Sequence, residues 1–69
     1  MSKRMNCESL MKILQENVDG ITGLEYSGIL ADGSEYVTAL FHNKRNEIID
    51  VTGMSDTETL SKIIDFFGL

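Results

Sequence analysis

Apolar side chains recur along this chain with two different periods, and the changes between them divide it into five segments. From residue 7 to 18, Cys7, Leu10, Met11, Leu14 and Val18 fall at the i, i+3, i+4, i+7 spacing of one helical face, with Ile13 beside them. Asn6 reads as the N-cap, Glu8 as a first-turn acid, and Asp19-Gly20 as the stop. Three short runs follow: Leu24–Leu30, Tyr36–Phe41 and Ile48–Val51. Their β-branched and aromatic residues suit a pleated, half-buried surface. Ser55-Asp56-Thr57-Glu58 then carries a capping box, Leu60, Ile63, Ile64 and Phe67 form a second helical stripe, and Gly68 ends it. The order is α-β-β-β-α.

The connections between the strands are short. Asp32-Gly33 is a hairpin signal and Asn43–Asn46 a second turn, so the three strands form an antiparallel meander of order 1-2-3. Two amphipathic helices, each too short to stand alone, are expected on one face of that sheet, giving an α+β fold. Gly23 and Gly28 mark bulges or close backbone contacts in an irregular first strand.

Which sheet face is the core depends on register, since a one-residue slip exchanges the faces. A two-residue Asp32-Gly33 loop puts Leu24, Tyr26 and Leu30 with Val37 and Phe41; a three-residue loop with a bulge puts them with Tyr36 and Leu40. The second turn is expected to set Ile48 beside Phe41 and Ile49 beside Leu40. Asp50 tips the choice, because a carboxylate belongs in solvent. Tyr36, Leu40, Ile49 and Val51 then make the core, while Val37, Ala39, Phe41 and Ile48 form an exposed apolar strip rimmed by Glu35 and Asp50. Such a strip marks a protein-binding or self-association surface. Glu35, Val37, Phe41, Ile48 and Asp50 are therefore the expected partner-binding residues, in a homodimer or with another protein.

Sixty-nine residues make one domain, 1–69, with residues 1–5 expected to be frayed. The net charge is −5, and from Cys7 onward four basic residues face eleven acidic ones. A body this acidic repels phosphate backbones and anionic lipid, so the expected partner is a basic protein surface rather than nucleic acid or membrane. No apolar run approaches the roughly 20 residues that span a bilayer, and no apolar signal core follows Lys3-Arg4. One cysteine excludes an internal disulfide and favours the reducing cytoplasm.

Little here resembles a catalytic centre. His42 has Glu47 as an expected cross-strand acid but no nucleophile, since Cys7 lies on an apolar helix face. No ligand pair has zinc spacing, Asp50, Asp56 and Glu58 do not form a calcium loop, and no glycine cluster cradles phosphate. The expectation is a binding protein that needs neither metal nor cofactor, and not an enzyme.

The α-β-β-β-α order also belongs to double-stranded-RNA-binding domains. The basic start of their last helix is here Ser55-Asp56-Thr57-Glu58, so their function does not carry over. Asp32-Gly33-Ser34-Glu35-Tyr36-Val37 and the Leu-rich first helix resemble parts of a small acidic phage-encoded anti-CRISPR protein. That resemblance covers about a third of the chain and stops at Val37. It implies an inhibitor that docks on a Cas nuclease by mimicking nucleic-acid charge.

Overall fold

The computed structural model describes residues 3–69 and places five elements in the expected order: α1 (Lys3–Asn17), β1 (Ile21–Tyr26), β2 (Tyr36–Phe41), β3 (Glu47–Asp50) and α2 (Asp56–Phe67). The sheet is an antiparallel meander, β1-β2-β3. Its inner face meets the buried sides of both helices in one core built on Cys7, Leu10, Leu14, Val37, Ala39, Ile49, Val51 and Ile63. The fold is α+β.

Helix α1 begins earlier than its apolar stripe suggests. Lys3–Met5, expected to be frayed, form its first turn, while residues 1 and 2 lie outside the described residues. Asn6 is correspondingly not a cap: it is buried within the helix, and its Nδ2 donates to the Asp56 carbonyl at 3.3 Å. Long unbranched side chains at Lys3, Arg4 and Met5 favour this extension, and Lys3 is also tied down by Glu35. After the helix, Gly20 has φ +81°, and a Cβ there would lie 2.2 Å from the Asn43 Oδ1. Only glycine meets both conditions.

Helix α2 is as its sequence implies. Ser55 Oγ accepts from the Glu58 N–H at 3.1 Å, and Glu58 Oε1 accepts from the Ser55 N–H at 3.0 Å. Gly68 closes it at φ +70°, with the Gly68 N–H on the Asp65 carbonyl and the Leu69 N–H on that of Ile64.

The sheet departs from expectation in strand position and in register. β1 is Ile21–Tyr26 rather than Leu24–Leu30, because the chain turns away at Gly28, at φ +77°, just after Ser27 makes the last ladder bond by donating its N–H to the Tyr36 carbonyl. Ile29 and Leu30 consequently stand exposed in the connection, where the Gly33 N–H closes a turn on the Leu30 carbonyl. β1 carries a bulge between Ile21 and Gly23, and the side chain of Leu40 lies against Gly23.

Between β2 and β3, Ile48 pairs with Thr38 and Ile49 with Val37, three positions from the expected pairing of Ile48 with Phe41. An odd displacement exchanges the faces of one strand relative to the other. Asp50 and Ile48 do point outward, as the carboxylate demands. Val37, Ala39 and Phe41, however, lie on the opposite face from them and form the core, at 0%, 0% and 8% exposure. The cause is a longer turn: Phe41 N–H bonds to the Asn46 side chain instead of to β3, so the ladder resumes only at Ala39 and Glu47.

Candidate functional site

Two surface features follow from this arrangement. The first is the sheet face that the helices leave open. Alternation from the core positions sends Gly23, Glu25, Tyr36, Thr38, Leu40, Ile48 and Asp50 to it. Across the strands Glu25, Thr38 and Ile48 make one row, and Tyr36 faces Asp50 in another. Ile48 is 67% exposed, and Tyr36 and Leu40 are half-buried beside it. Thr38 thus lies at the middle of the patch, with the apolar side chains of Tyr36, Leu40 and Ile48 around it and a carboxylate on each outer strand.

The second feature is a cleft lined by Lys3, Tyr26, Ile29, Glu35, Gly53, Met54 and Asp56. Glu35 sits at its base, only 6% exposed. Its backbone is held by β3 and the turn after it: the Glu35 N–H donates to Thr52 Oγ1 at 3.0 Å, and its carbonyl accepts from the Val51 N–H at 3.0 Å. Alternation along β2 then points its side chain to the helix side, like that of Val37. One carboxylate oxygen accepts from the Lys3 ammonium and from the Tyr26 hydroxyl at 2.5 Å, and the other from the Gly53 N–H at 3.2 Å. A buried carboxylate needs such a shell, since each unmatched lone pair forfeits its hydration.

The shell fixes protonation as well. The Lys3 ammonium, and then the Tyr26 hydroxyl, hold Glu35 below the usual carboxylate range. The same hydrogen bond pushes the Tyr26 phenol up, because an ionised phenolate would face the carboxylate. Lys3 Nζ and the Arg4 guanidinium each lie 5.8 Å from the Tyr26 ring centroid, within cation–π range.

The five expected partner-binding residues are therefore divided. Ile48 and Asp50 remain on the open face; Val37 and Phe41 are core; Glu35 belongs to the cleft. Tyr36 and Leu40, expected in the core, join Ile48 as apolar members of the open face. No local pattern in the sequence connects Lys3, Tyr26 and Glu35, since 32 positions separate Lys3 from Glu35.

The remaining candidates are separate from one another. His42 is exposed beyond the end of β2, and Glu47 pairs with Ala39 rather than with it. Glu47 instead approaches Lys44 at 4.0 Å. Cys7 is buried, and burial pushes its thiol up, away from the reactive thiolate. Among the described residues, no group of three or more His, Cys, Asp or Glu side chains is placed to hold a metal ion, and no helix is long and apolar enough to cross a membrane. No protein-family model, curated protein or solved structure matches the chain.

Proposed function

We propose that this chain is a non-enzymatic binding module that docks on a basic protein surface through the open face of its sheet. The observation carrying this reading is the composition of that face: Ile48, Leu40 and Tyr36 uncovered by either helix, flanked by Glu25 and Asp50, on a chain of net charge −5. Burying a large apolar side chain contributes roughly 1.5–3 kcal/mol, and the flanking carboxylates supply attraction and orientation toward a cationic partner. A cytoplasmic setting fits the lone free thiol of Cys7. The resemblance of Asp32–Val37 to anti-CRISPR inhibitors supports one such surface, the nucleic-acid groove of a Cas nuclease, with the acidic face standing in for phosphates.

The test compares wild type with Ile48→Glu as immobilised bait for proteins of the native host, at low and at physiological salt. The captured protein is then purified and titrated. The reading expects a basic protein held by wild type, lost with Ile48→Glu, and weakened as salt rises. An Ile48→Glu bait that holds the same protein with unchanged affinity overturns it. Homodimerisation through the same apolar side chains is the second reading. Sedimentation at several concentrations would then show a dimer that Ile48→Glu abolishes and salt leaves intact.

A further inference from the structure

Lysine is almost never buried unless paired, yet the Lys3 side chain is only 10% exposed, folded down onto a Glu35 side chain that is 7% exposed. The two partners are held very differently. Glu35 is fixed from several directions, through its backbone by Val51 and Thr52 and through its carboxylate by Tyr26 and Gly53. Lys3 is the first described residue of α1, reaching the site on a flexible four-carbon stem. Helix ends open at far less cost than sheet positions tied into a core.

With the Lys3 side chain swung aside, the cleft would present a fixed carboxylate at its base, the Tyr26 ring beside it, and Met54 and the 74% exposed Ile29 in its lining. Those are the groups that recognise a cationic side chain: an acceptor for its charge, a π-face for the cation and apolar contacts for its stem. Asp56 adds negative charge to the same lining. The Arg4 guanidinium at 5.8 Å from the ring indicates that a planar cation also suits this aromatic.

We infer that this cleft is a recognition pocket for a lysine or arginine side chain of a partner protein, and that Lys3 is its intramolecular occupant, displaced on docking. The inference rests on the reading above for its basic partner, but on residues distinct from those of the open face. Occupancy by Lys3 lowers the apparent affinity by the fraction of time the pocket is closed. It also keeps a buried carboxylate from standing unpaired in the free protein.

The experiment is an NMR titration of the full chain with n-butylammonium and with the blocked peptide acetyl-Gly-Lys-Gly-amide, against sodium at matched ionic strength. Lys3→Ala should show saturable shifts at the Gly53 amide and the Tyr26 ring, with apparent affinity on the order of tenfold above wild type for a pocket otherwise closed about nine-tenths of the time. Adding Glu35→Gln to Lys3→Ala should remove those shifts. Equal, non-saturating shifts in all three proteins would overturn the inference. If Lys3→Ala does not fold alone, n-butylammonium should restore its native spectrum, and failure to restore it overturns the inference equally. Ile48→Glu should leave this titration unchanged, so failure of the pocket and failure of the open face are read separately.

Discussion

Substituting Val37 and Ile48 tests the register on which both surface features depend. Val37 is fully buried, paired with Tyr26 on one side and Ile49 on the other, whereas Ile48, next to Ile49, is 67% exposed. Val37→Ala removes two methyl-sized groups, about 1.6 kcal/mol at ~0.8 each, and the cavity raises the loss to about 2–3 kcal/mol. Ile48→Ala removes more atoms but little buried area, and should cost under about 1 kcal/mol. A domain of 69 residues has a stability of roughly 3.5–10 kcal/mol, so the first loss is large and the second small against the whole. In urea, with m of about 1 kcal/mol/M, Val37→Ala should lower the midpoint by about 2–3 M and Ile48→Ala by under about 1 M, with m unchanged. Equal losses, or a larger loss at Ile48, would refute the pairing of Ile48 with Thr38 and return Val37 to the outer face.

Ser55→Ala removes the acceptor for the Glu58 N–H and should cost about 1 kcal/mol in urea unfolding, with the loss of helicity confined to the first turn of α2. Thr59→Val should be neutral or stabilising by up to about 1 kcal/mol, because the Thr59 hydroxyl is fully buried and finds no partner among the described residues; a loss above that size would reveal a partner. Gly20→Ala combines positive φ with a collision at Asn43, so it should cost over about 1 kcal/mol, partly recovered by Asn43→Gly. Glu35, Asp50 and Glu58 are held below the usual carboxylate range, Glu35 chiefly by Lys3, Asp50 by Thr52 and Glu58 by Ser55. Their stabilisation is fully present above the unfolded carboxylate range and lost as pH falls through the lowered folded values, a slope that Glu35→Gln should reduce. Tyr26 runs the other way: its raised folded value gives stability that is present below the unfolded phenol range and lost as pH climbs through the folded one.

Elements whose causes are local were legible in the sequence. The Ser55/Glu58 box, the Gly68 stop and the Cys7, Leu10 and Leu14 positions of the α1 stripe depend on side chains within a turn of one another and appear where the residues place them, whereas Ile13 is exposed and Val18 lies beyond the helix. Long-range features were not. The second turn is lengthened by Asn46 reaching the Phe41 N–H, a bond that no turn rule encodes, and the resulting three-residue displacement transferred Val37, Ala39 and Phe41 from the surface to the core. Asp50 correctly sent Ile48 outward, but an outward Ile48 says nothing of β2 until the register is known. Lys3 shows the same limit from the other side. Its run lacks apolar periodicity and reads as a frayed end, yet a carboxylate 32 residues away holds it in place.

Edge pairing competes with face docking as the way this sheet meets a partner, and the structure disfavours it at both edges. Because the Val51 N–H bonds to Glu35, the groups of Val51 and Ile49 turn toward β2, and those of Ile48 and Asp50 turn outward. Lys62 Nζ from α2 takes the Asp50 carbonyl at 2.5 Å, and Asp50 Oδ1 accepts from the Thr52 N–H as the chain leaves the sheet. An incoming strand would find a four-residue edge with one of its few acceptors already occupied by a lysine. At the other edge, β1 is distorted by its bulge between Ile21 and Gly23, which breaks the even spacing a new strand would need. The face has no comparable obstacle: Ile48, Leu40 and Tyr36 surround Thr38 on the middle and third strands, and their apolar area is recovered only when something covers them. At high salt, where the lost charge is screened, Lys62→Ala is therefore expected to leave partner capture unchanged while Ile48→Glu abolishes it. A partner bound more tightly by Lys62→Ala than by wild type, with the gain undiminished at high salt, would instead mean that the β3 edge, freed of its guard, is the surface in use.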